Sequence, residues 1–238
     1  MSDESLKLWT DAFSDCDVKK ILYIKKGVFM QISIKAMVLG MVATNCYIVS
    51  NDDTKEAVII DPAAEAKRIA AYLEKEGLKP VAILLTHGHF DHMMAVNDLR
   101  DQYGIKVYLS EKENQLMFNP EYNGCYMIGQ MVSAKGDEFI TDGQSLVFGG
   151  MMFDVIFTPG HTWGGVCYYM PQVGKLFSGD TLFEGSVGRT DLATGSMSQL
   201  VRSIKDKLMA NYSDDTEVLP GHGGSTTIGF ERKYNPFL

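Results

Sequence analysis

Three histidines and an aspartate lie within the six-residue segment His87–His92, in the pattern His-X-His-X-Asp-His. Imidazole and carboxylate groups together suit Zn²⁺, Fe²⁺ or Mn²⁺, and no single ion of this kind needs four ligands from so short a turn. We expect His87 and His89 to reach one ion, whereas Asp91 and His92 point elsewhere. Two adjacent metal ions are therefore the simplest interpretation of this segment.

The two histidines outside this segment support the same interpretation. The chain has five histidines in all, and His161 and His222 each follow a Pro-Gly pair that closes an apolar run. A lone histidine is more often structural than a metal ligand. Here, however, all five histidines fall in loops at predicted strand ends, so His161 and His222 are predicted to supply the missing ligands.

Strands and helices that could position these residues occur in two comparable halves. The first half is predicted to contain strands over 32–39, 46–50, 57–60, 81–85 and 106–109, and helices opened by Asp61-Pro62 and over 92–103 and 111–118. The second half is predicted to contain strands over 145–148, 152–157, 166–170, 175–177 and 217–219, and a helix that Ser196 and Gln199 open as a capping box.

The segment 119–134 has no clear period and is rich in Asn, Gly, Pro, Tyr and Met. We interpret it as a long surface loop. Loops of this length in a compact domain are often functional, and a disordered excursion is the alternative.

Composition and charge exclude several classes of function. Hydrophobic residues make up 45% and charged residues 22% of the chain, as in soluble globular proteins. The net charge of −8 argues against a nucleic-acid partner, which needs clustered Lys and Arg. The four cysteines form no CxxC pair, which favours reduced thiols. The sequence has neither a signal-peptide pattern nor an apolar run of ~20 residues, so we expect a cytoplasmic protein without a membrane partner.

With the His87–His92 pattern, the chain resembles the metallo-β-lactamase superfamily from about residue 30 onward. The resemblance implies one catalytic domain over 30–238, of the α/β (α+β) class, with the αββα sandwich fold and a site along one rim between two sheets. Residues 1–29 would then be an N-terminal extension that covers an edge or joins a dimer contact. The oligomeric state itself is not predicted.

The resemblance also implies a ligand set with two divalent ions, zinc in the first place and iron or manganese as alternatives. One ion would be held by His87, His89 and His161, and the other by Asp91, His92 and His222, with Asp180 of the Ser-Gly-Asp run bridging the two. Asp91 and Asp180 would be the catalytic carboxylates. Two such ions can share a water and lower its pKa from 15.7 to about 7, which yields a bridging hydroxide at neutral pH.

Three further motifs narrow the predicted activity. The segments 182–191, 220–229 and 231–238 look like those of the short glyoxalase II-like hydrolases of bacteria. This likeness implies hydrolysis of a small-molecule acyl thioester, such as S-lactoylglutathione, to an acid and a thiol. Full-length glyoxalase II carries a C-terminal helical domain that helps to bind glutathione, and only sixteen residues follow His222 here. Tyr122, Tyr126 and Arg189 are therefore the candidate substrate contacts.

Two other functions stay open at this point. Gly188-Arg189-Thr190-Asp191 also resembles the persulfide dioxygenases of the superfamily, in which one iron would be held by the equivalents of His87, His161 and Asp180. The complete second ligand set favours the hydrolase. A non-catalytic metal-binding role is a further alternative, and Arg189 and Asp191 could form a plain structural ion pair.

Overall fold

The computed structural model describes residues 30–238. Within this range one compact unit spans Ile32–Leu238. The extension predicted over 1–29 lies outside the described residues. In the described range, the helices are all too short or too polar to cross a membrane.

The first of two six-stranded sheets is built from the N-terminal half of the unit. It consists of β1 (Ile32–Leu39), β2 (Thr44–Asn51), β3 (Glu56–Ile60), β4 (Lys79–Leu84), β5 (Lys106–Ser110) and β6 (Glu138–Ile140). These strands lie side by side in chain order. β1, β2 and β3 are antiparallel neighbours, and β3 to β6 are parallel. Every residue of β2 is buried, because both faces of this strand are covered.

The second sheet is built from the C-terminal half and is mostly antiparallel. It consists of β7 (Ser145–Phe148), β8 (Met151–Phe157), β9 (Val166–Met170), β10 (Lys175–Gly179), β13 (Glu217–Pro220) and β14 (Thr226–Thr227). Its spatial order is β14-β13-β10-β9-β8-β7. A small hairpin of β11 (Leu182–Phe183) and β12 (Ser186–Val187) follows β10.

Helices cover the outer face of each sheet. They are α1 (Ala66–Glu76), α2 (Phe90–Met93), α3 (Val96–Tyr103), α4 (Glu111–Phe118), α5 (Met197–Ser203), which continues as a π-helix over Ile204–Met209, and α6 (Ile228–Tyr234). Ile69 and Leu73 of α1 pack in one apolar cluster with Ile59 of β3. Leu200 of α5 packs in another with Val218 of β13. Burial of these apolar stripes is what holds the helices on the sheets.

The inner faces of the two sheets pack against each other. The rings of Tyr47 on β2 and Phe177 on β10 lie 5.2 Å apart at their centroids, in an edge-to-face arrangement. Tyr168 on β9 is fully buried, and its hydroxyl donates a 2.9 Å hydrogen bond to the carbonyl of Leu85, just beyond β4. Helix, sheet, sheet and helix therefore form successive layers, and the predicted αββα sandwich is confirmed.

Three helix predictions differ from the structure, namely the start at Pro62, the continuity of the helix over 92–103 and the capping box at Ser196. Helix α1 begins four residues beyond Pro62, and Asp61 has a positive φ of 49°. The helix predicted over 92–103 is interrupted because the amide of Ala95 donates to the carbonyl of Pro62. Ser196 is the residue before α5, as predicted, but its side chain forms no cap, and its amide donates to the carbonyl of Gly160 instead of to the side chain of Gln199.

The hydrogen bond between the sheets gives a stability prediction. Tyr168→Phe keeps the ring but leaves the buried carbonyl of Leu85 without this donor. We expect the free energy of unfolding to fall by about 1–2 kcal/mol and the Tm by about 2–8 °C. Tyr169→Phe is the control, because Tyr169 is the next residue on β9 and its ring packs instead against Tyr212. Equal Tm values for the two variants would contradict the assignment.

Candidate metal centre

Strand direction explains why distant residues meet at one edge of the sandwich. β8 and β10 are both antiparallel to β9, and β10 is parallel to β13, so β8, β10 and β13 run the same way. His161, Asp180 and His222 follow these strands and emerge at the same edge of the second sheet. The segment His87–His92 follows β4 of the first sheet and lies opposite them.

The first cluster of nitrogen atoms joins the two sheets. Nε2 of His161 lies 3.3 Å from Nε2 of His87 and 2.9 Å from Nδ1 of His89. All three side chains are buried, and the three ligand atoms lie within 4.8 Å of one another. Three nitrogens directed into one small volume can coordinate a divalent ion at about 2.0–2.1 Å each.

The second cluster lies beside the first and contains a carboxylate. Oδ2 of Asp91 lies 3.2 Å from Nε2 of His222 and 3.5 Å from Nε2 of His92. Asp180 lies between the two clusters. Its Oδ1 is 3.3 Å from Nε2 of His92, and its Oδ2 is 3.6 Å from Nε2 of both His161 and His222. The structure thus brings all seven sequence-predicted metal residues together, and His87, His92 and Asp180 form a third group that overlaps both clusters.

Unpaired buried atoms test whether this cluster suits metal ions. Four buried side-chain polar atoms within residues 30–238 have no hydrogen-bond partner, and three of them belong to the cluster: His89 Nε2, His92 Nε2 and Asp180 Oδ1. Each such atom costs about 1–3 kcal/mol. Bound cations would satisfy His92 Nε2 and Asp180 Oδ1, which face the shared volume, and mixed nitrogen and oxygen donors suit zinc, iron or manganese.

The protonation states of the first ligand set and of Asp180 also suit cation binding. Burial, with a contribution from His161, lowers the pKa of His89 to about 3, and burial lowers the pKa of His87 and His161 as well. Although burial alone would raise it, His92 lowers the pKa of Asp180 to about 2. At pH 7 these three imidazoles are neutral and this carboxylate is ionised, which are the forms that donate lone pairs to a metal.

Asp61 is a site residue that the sequence analysis assigned to a helix cap instead. Its Oδ2 lies 2.9 Å from Nδ1 of His92, and its two oxygens accept bonds from the amide and hydroxyl of Thr86. A carboxylate on Nδ1 fixes the histidine tautomer and leaves Nε2 facing the metal. The sequence feature that could have indicated this role is the position of Asp61 at the end of β3. This strand is the parallel neighbour of β4, which leads into the His87–His92 segment.

A backbone carbonyl and a hydroxyl orient two other members of the cluster, and a glycine packs against a third. Nδ1 of His161 lies 2.7 Å from the carbonyl oxygen of Arg189, and the hydroxyl of Thr44 donates to Oδ2 of Asp91 at 2.9 Å. Gly221 packs directly against Asp180, because a Cβ at this position would lie 2.3 Å from Asp180 Oδ1. Glycine is therefore required beside His222.

The three candidate substrate contacts have different surroundings. The Arg189 guanidinium forms a bidentate ion pair with Asp191, at 2.7 and 2.8 Å. This is the structural ion pair that the sequence offered as the alternative to a substrate contact. Tyr122 and Tyr126 are 40% and 58% exposed. They lie on the 119–134 loop, which is ordered, since Phe90 donates to the carbonyl of Asn123 beside the metal residues. The loop contains a single 3-10 turn over Cys125–Ile128.

Comparison with known sequences relates this chain to metal-dependent hydrolases, in agreement with the clustered histidines and aspartates. The profile of the metallo-beta-lactamase superfamily matches residues 39–222. A probable metallo-hydrolase of Bacillus subtilis, YqgX, is 39% identical over 86% of this chain and 96% of its own length. The hydroxyacylglutathione hydrolase GloC of Haemophilus influenzae is 36% identical over 82% of this chain and 92% of its own.

Solved structures share the fold. BLEG-1 B3 metallo-beta-lactamase is 44% identical with a TM-score of 0.82, over 86% of this chain and 99% of that one. TTHA1623, in a di-iron-bound form, is 36% identical with a TM-score of 0.77, over 86% and 100%. ETHE1 from Myxococcus xanthus is 26% identical with a TM-score of 0.73, over 86% and 83%. With its sandwich fold and its seven clustered ligand candidates, the chain belongs to the metallo-β-lactamase superfamily of metal-dependent hydrolases.

Proposed function

We propose that this protein is a glyoxalase II-like hydrolase of acyl thioesters, with S-lactoylglutathione as one substrate. The observation that carries the proposal is the presence of two complete three-residue ligand sets joined by Asp180. The similarity to a hydroxyacylglutathione hydrolase over most of both chains supports the same reaction class. The implied partner is a small molecule.

In this proposal His87, His89 and His161 hold one divalent ion, and Asp91, His92 and His222 hold the other. Ions bound there would activate a water and polarise the thioester carbonyl. Asp180 neutralises charge in both sets at once, and Asp61 keeps His92 in the required tautomer. A thiol has a pKa of about 8.5, so the leaving group departs as a thiolate with little help from a general acid.

Two other activities within the superfamily are weighed against this one. A mononuclear iron dioxygenase needs only His87, His161 and Asp180, a two-histidine-one-carboxylate set, and would leave Asp91 and His222 without a function. A non-catalytic metal-binding role would not require a carboxylate placed between two ligand sets.

The position of Asp180 gives a prediction about metal content. Asp180→Ala removes the carboxylate that contacts both clusters, so we expect weaker binding of both ions together. His222→Ala should remove mainly one ion. Metal content per chain, measured by elemental analysis after dialysis, tests both. Two tightly held ions in the Asp180→Ala protein would overturn the ligand assignment.

The reaction itself can be separated from oxygenation. We expect purified protein to release free thiol from S-lactoylglutathione without consuming oxygen. A thiol reagent and an oxygen electrode measure the two quantities in parallel, with glutathione persulfide as the second substrate. Oxygen uptake on the persulfide without thioester turnover would favour the dioxygenase.

A β-lactam serves as a third substrate, because BLEG-1 is named a metallo-beta-lactamase, and we expect negligible turnover of it.

The 119–134 loop is the proposed wall for the remainder of the substrate. Tyr126 exposes 58% of its surface, which a bound substrate can cover. We expect Tyr126→Ala to raise KM about 5- to 20-fold, equivalent to about 1–2 kcal/mol, with metal content unchanged. Tyr234→Ala on α6 is the matched control, because Tyr234 is also 58% exposed. An unchanged KM in Tyr126→Ala would exclude this contact.

We also expect broad tolerance for thioesters. The exposed side chains of Tyr122 and Tyr126 lose conformational entropy when a substrate orders them, which lowers affinity. The comparison is kcat/KM for S-lactoylglutathione against that for a thioester lacking the peptide. A preference beyond ~1,000-fold, or about 4 kcal/mol, would indicate a dedicated glutathione pocket.

A further inference from the structure

Glu113 on α4 is a fully buried carboxylate that joins two loops of the metal centre. Its Oε2 accepts a 2.8 Å hydrogen bond from the amide of Gly88, and its Oε1 accepts one of 2.8 Å from the amide of Gly164. Gly88 lies between His87 and His89, and Gly164 lies three positions beyond His161. One carboxylate therefore holds both backbone segments that carry the first ligand set.

The N-terminal turn of α4 makes further contacts with the loop that carries His161. The hydroxyl of Ser110 donates to the carbonyl of Gly164 at 2.6 Å, and the indole nitrogen of Trp163 donates to the carbonyl of Lys112 at 3.0 Å. Side chains at the two glycines would prevent this approach. A Cβ at position 88 would lie 2.9 Å from the Glu113 carbonyl oxygen, and one at 164 would lie 2.5 Å from Ser110 Oγ.

A carboxylate at this position has a specific chemical advantage over an amide. Two amide donors require two acceptor oxygens, whereas glutamine offers one oxygen and would direct an NH₂ group at a backbone N–H. Among the described residues, no Lys, Arg or His forms an ion pair with Glu113. Burial raises the pKa of Glu113 to about 7, although the amide of Gly88 and other hydrogen-bond donors oppose this shift. Such a charge is expensive to bury.

The two loops that Glu113 joins belong to different sheets. Gly88 follows β4 of the first sheet, and Gly164 precedes β9 of the second. The separation of His89 and His161, 2.9 Å between their ligand nitrogens, therefore depends on how these loops are held relative to each other. Metal sites tolerate errors of only about 0.5 Å in ligand position.

We propose that Glu113 is a positioning residue for the first ligand set, which sets the spacing of the His87–His89 loop against the His161 loop and thereby the affinity of the first ion. The second set is oriented by other groups, namely Asp61 on His92 and Thr44 on Asp91. The inference rests on the proposed ligand assignment and is independent of which substrate is hydrolysed.

The test uses Zn²⁺ affinity in two backgrounds that isolate the two sites. In full-length His222→Ala protein, which retains the first site, adding Glu113→Gln should weaken Zn²⁺ binding about 10- to 100-fold, measured by chelator competition. In His161→Ala protein, which retains the second site, the same change should alter the affinity less than threefold. Equal losses in both backgrounds, or no loss in either, would overturn the inference.

Glu231→Gln is the matched control in the same backgrounds. Glu231 is also fully buried, and it accepts hydrogen bonds from the amide of Gly185, the hydroxyl of Thr226 and the side-chain amide of Asn235. We expect Glu231→Gln to lower the Tm but to leave the first site's affinity unchanged. An equal loss of first-site affinity would assign the Glu113 effect to general destabilisation.

A second variant keeps the test valid if Glu113→Gln does not fold. Glu113→Asp keeps the charge but shortens the reach by one methylene, and the same selective loss at the first site is expected. Retention of two ions by the His222→Ala protein would overturn the ligand assignment and this inference with it. Absence of thioester turnover, with the selective loss present, would overturn only the proposed reaction.

Discussion

The rest of the structure is arranged around a cluster of imidazole and carboxylate groups whose hydrogen-bonding capacity the protein does not fully satisfy. Five imidazoles and two carboxylates converge where the sheets meet, and His92 Nε2 and Asp180 Oδ1 lie 3.3 Å apart without a well-formed hydrogen bond. In a low-dielectric interior such an arrangement is costly without positive charge. Burial alone would lower the pKa of His92, but Asp91 and Asp180 raise it well above its ordinary range. The site therefore attracts cations by its own electrostatics.

Buried acids hold the loops around this cluster. Asp61 binds the His92 ring and the backbone of Thr86, and Glu113 binds the amides of Gly88 and Gly164. Each acid lies on a regular element or directly at its end, and each accepts donors from a loop. Irregular segments thus obtain fixed positions from rigid neighbours.

The sequence predicted the features that depend on local pattern. Strands and helices came from apolar periodicity, which placed the histidines at strand ends, and the family resemblance implied that these ends share one rim. The contacts of Asp61 could not be predicted in this way, because Asp-Pro is also a typical helix start and the contact with His92 joins elements 31 positions apart. Glu113 looked like an ordinary polar residue near a helix start. Its burial depends on how the second sheet docks, which short-range patterns do not specify.

Because the first ligand set is divided between two sheets, an ion bound there would also restrict the conformations of the unfolded chain. His89 and His161 are separated by 72 positions, so an ion that binds both closes a long loop of chain. Loop-closure entropy grows only slowly with length, and a cross-link of this span restricts the unfolded ensemble about as strongly as a disulfide between the same positions. Unlike a disulfide, it forms without an oxidant and is reversed by a chelator. A chain whose described cysteines are all free thus has another means of cross-linking its two halves.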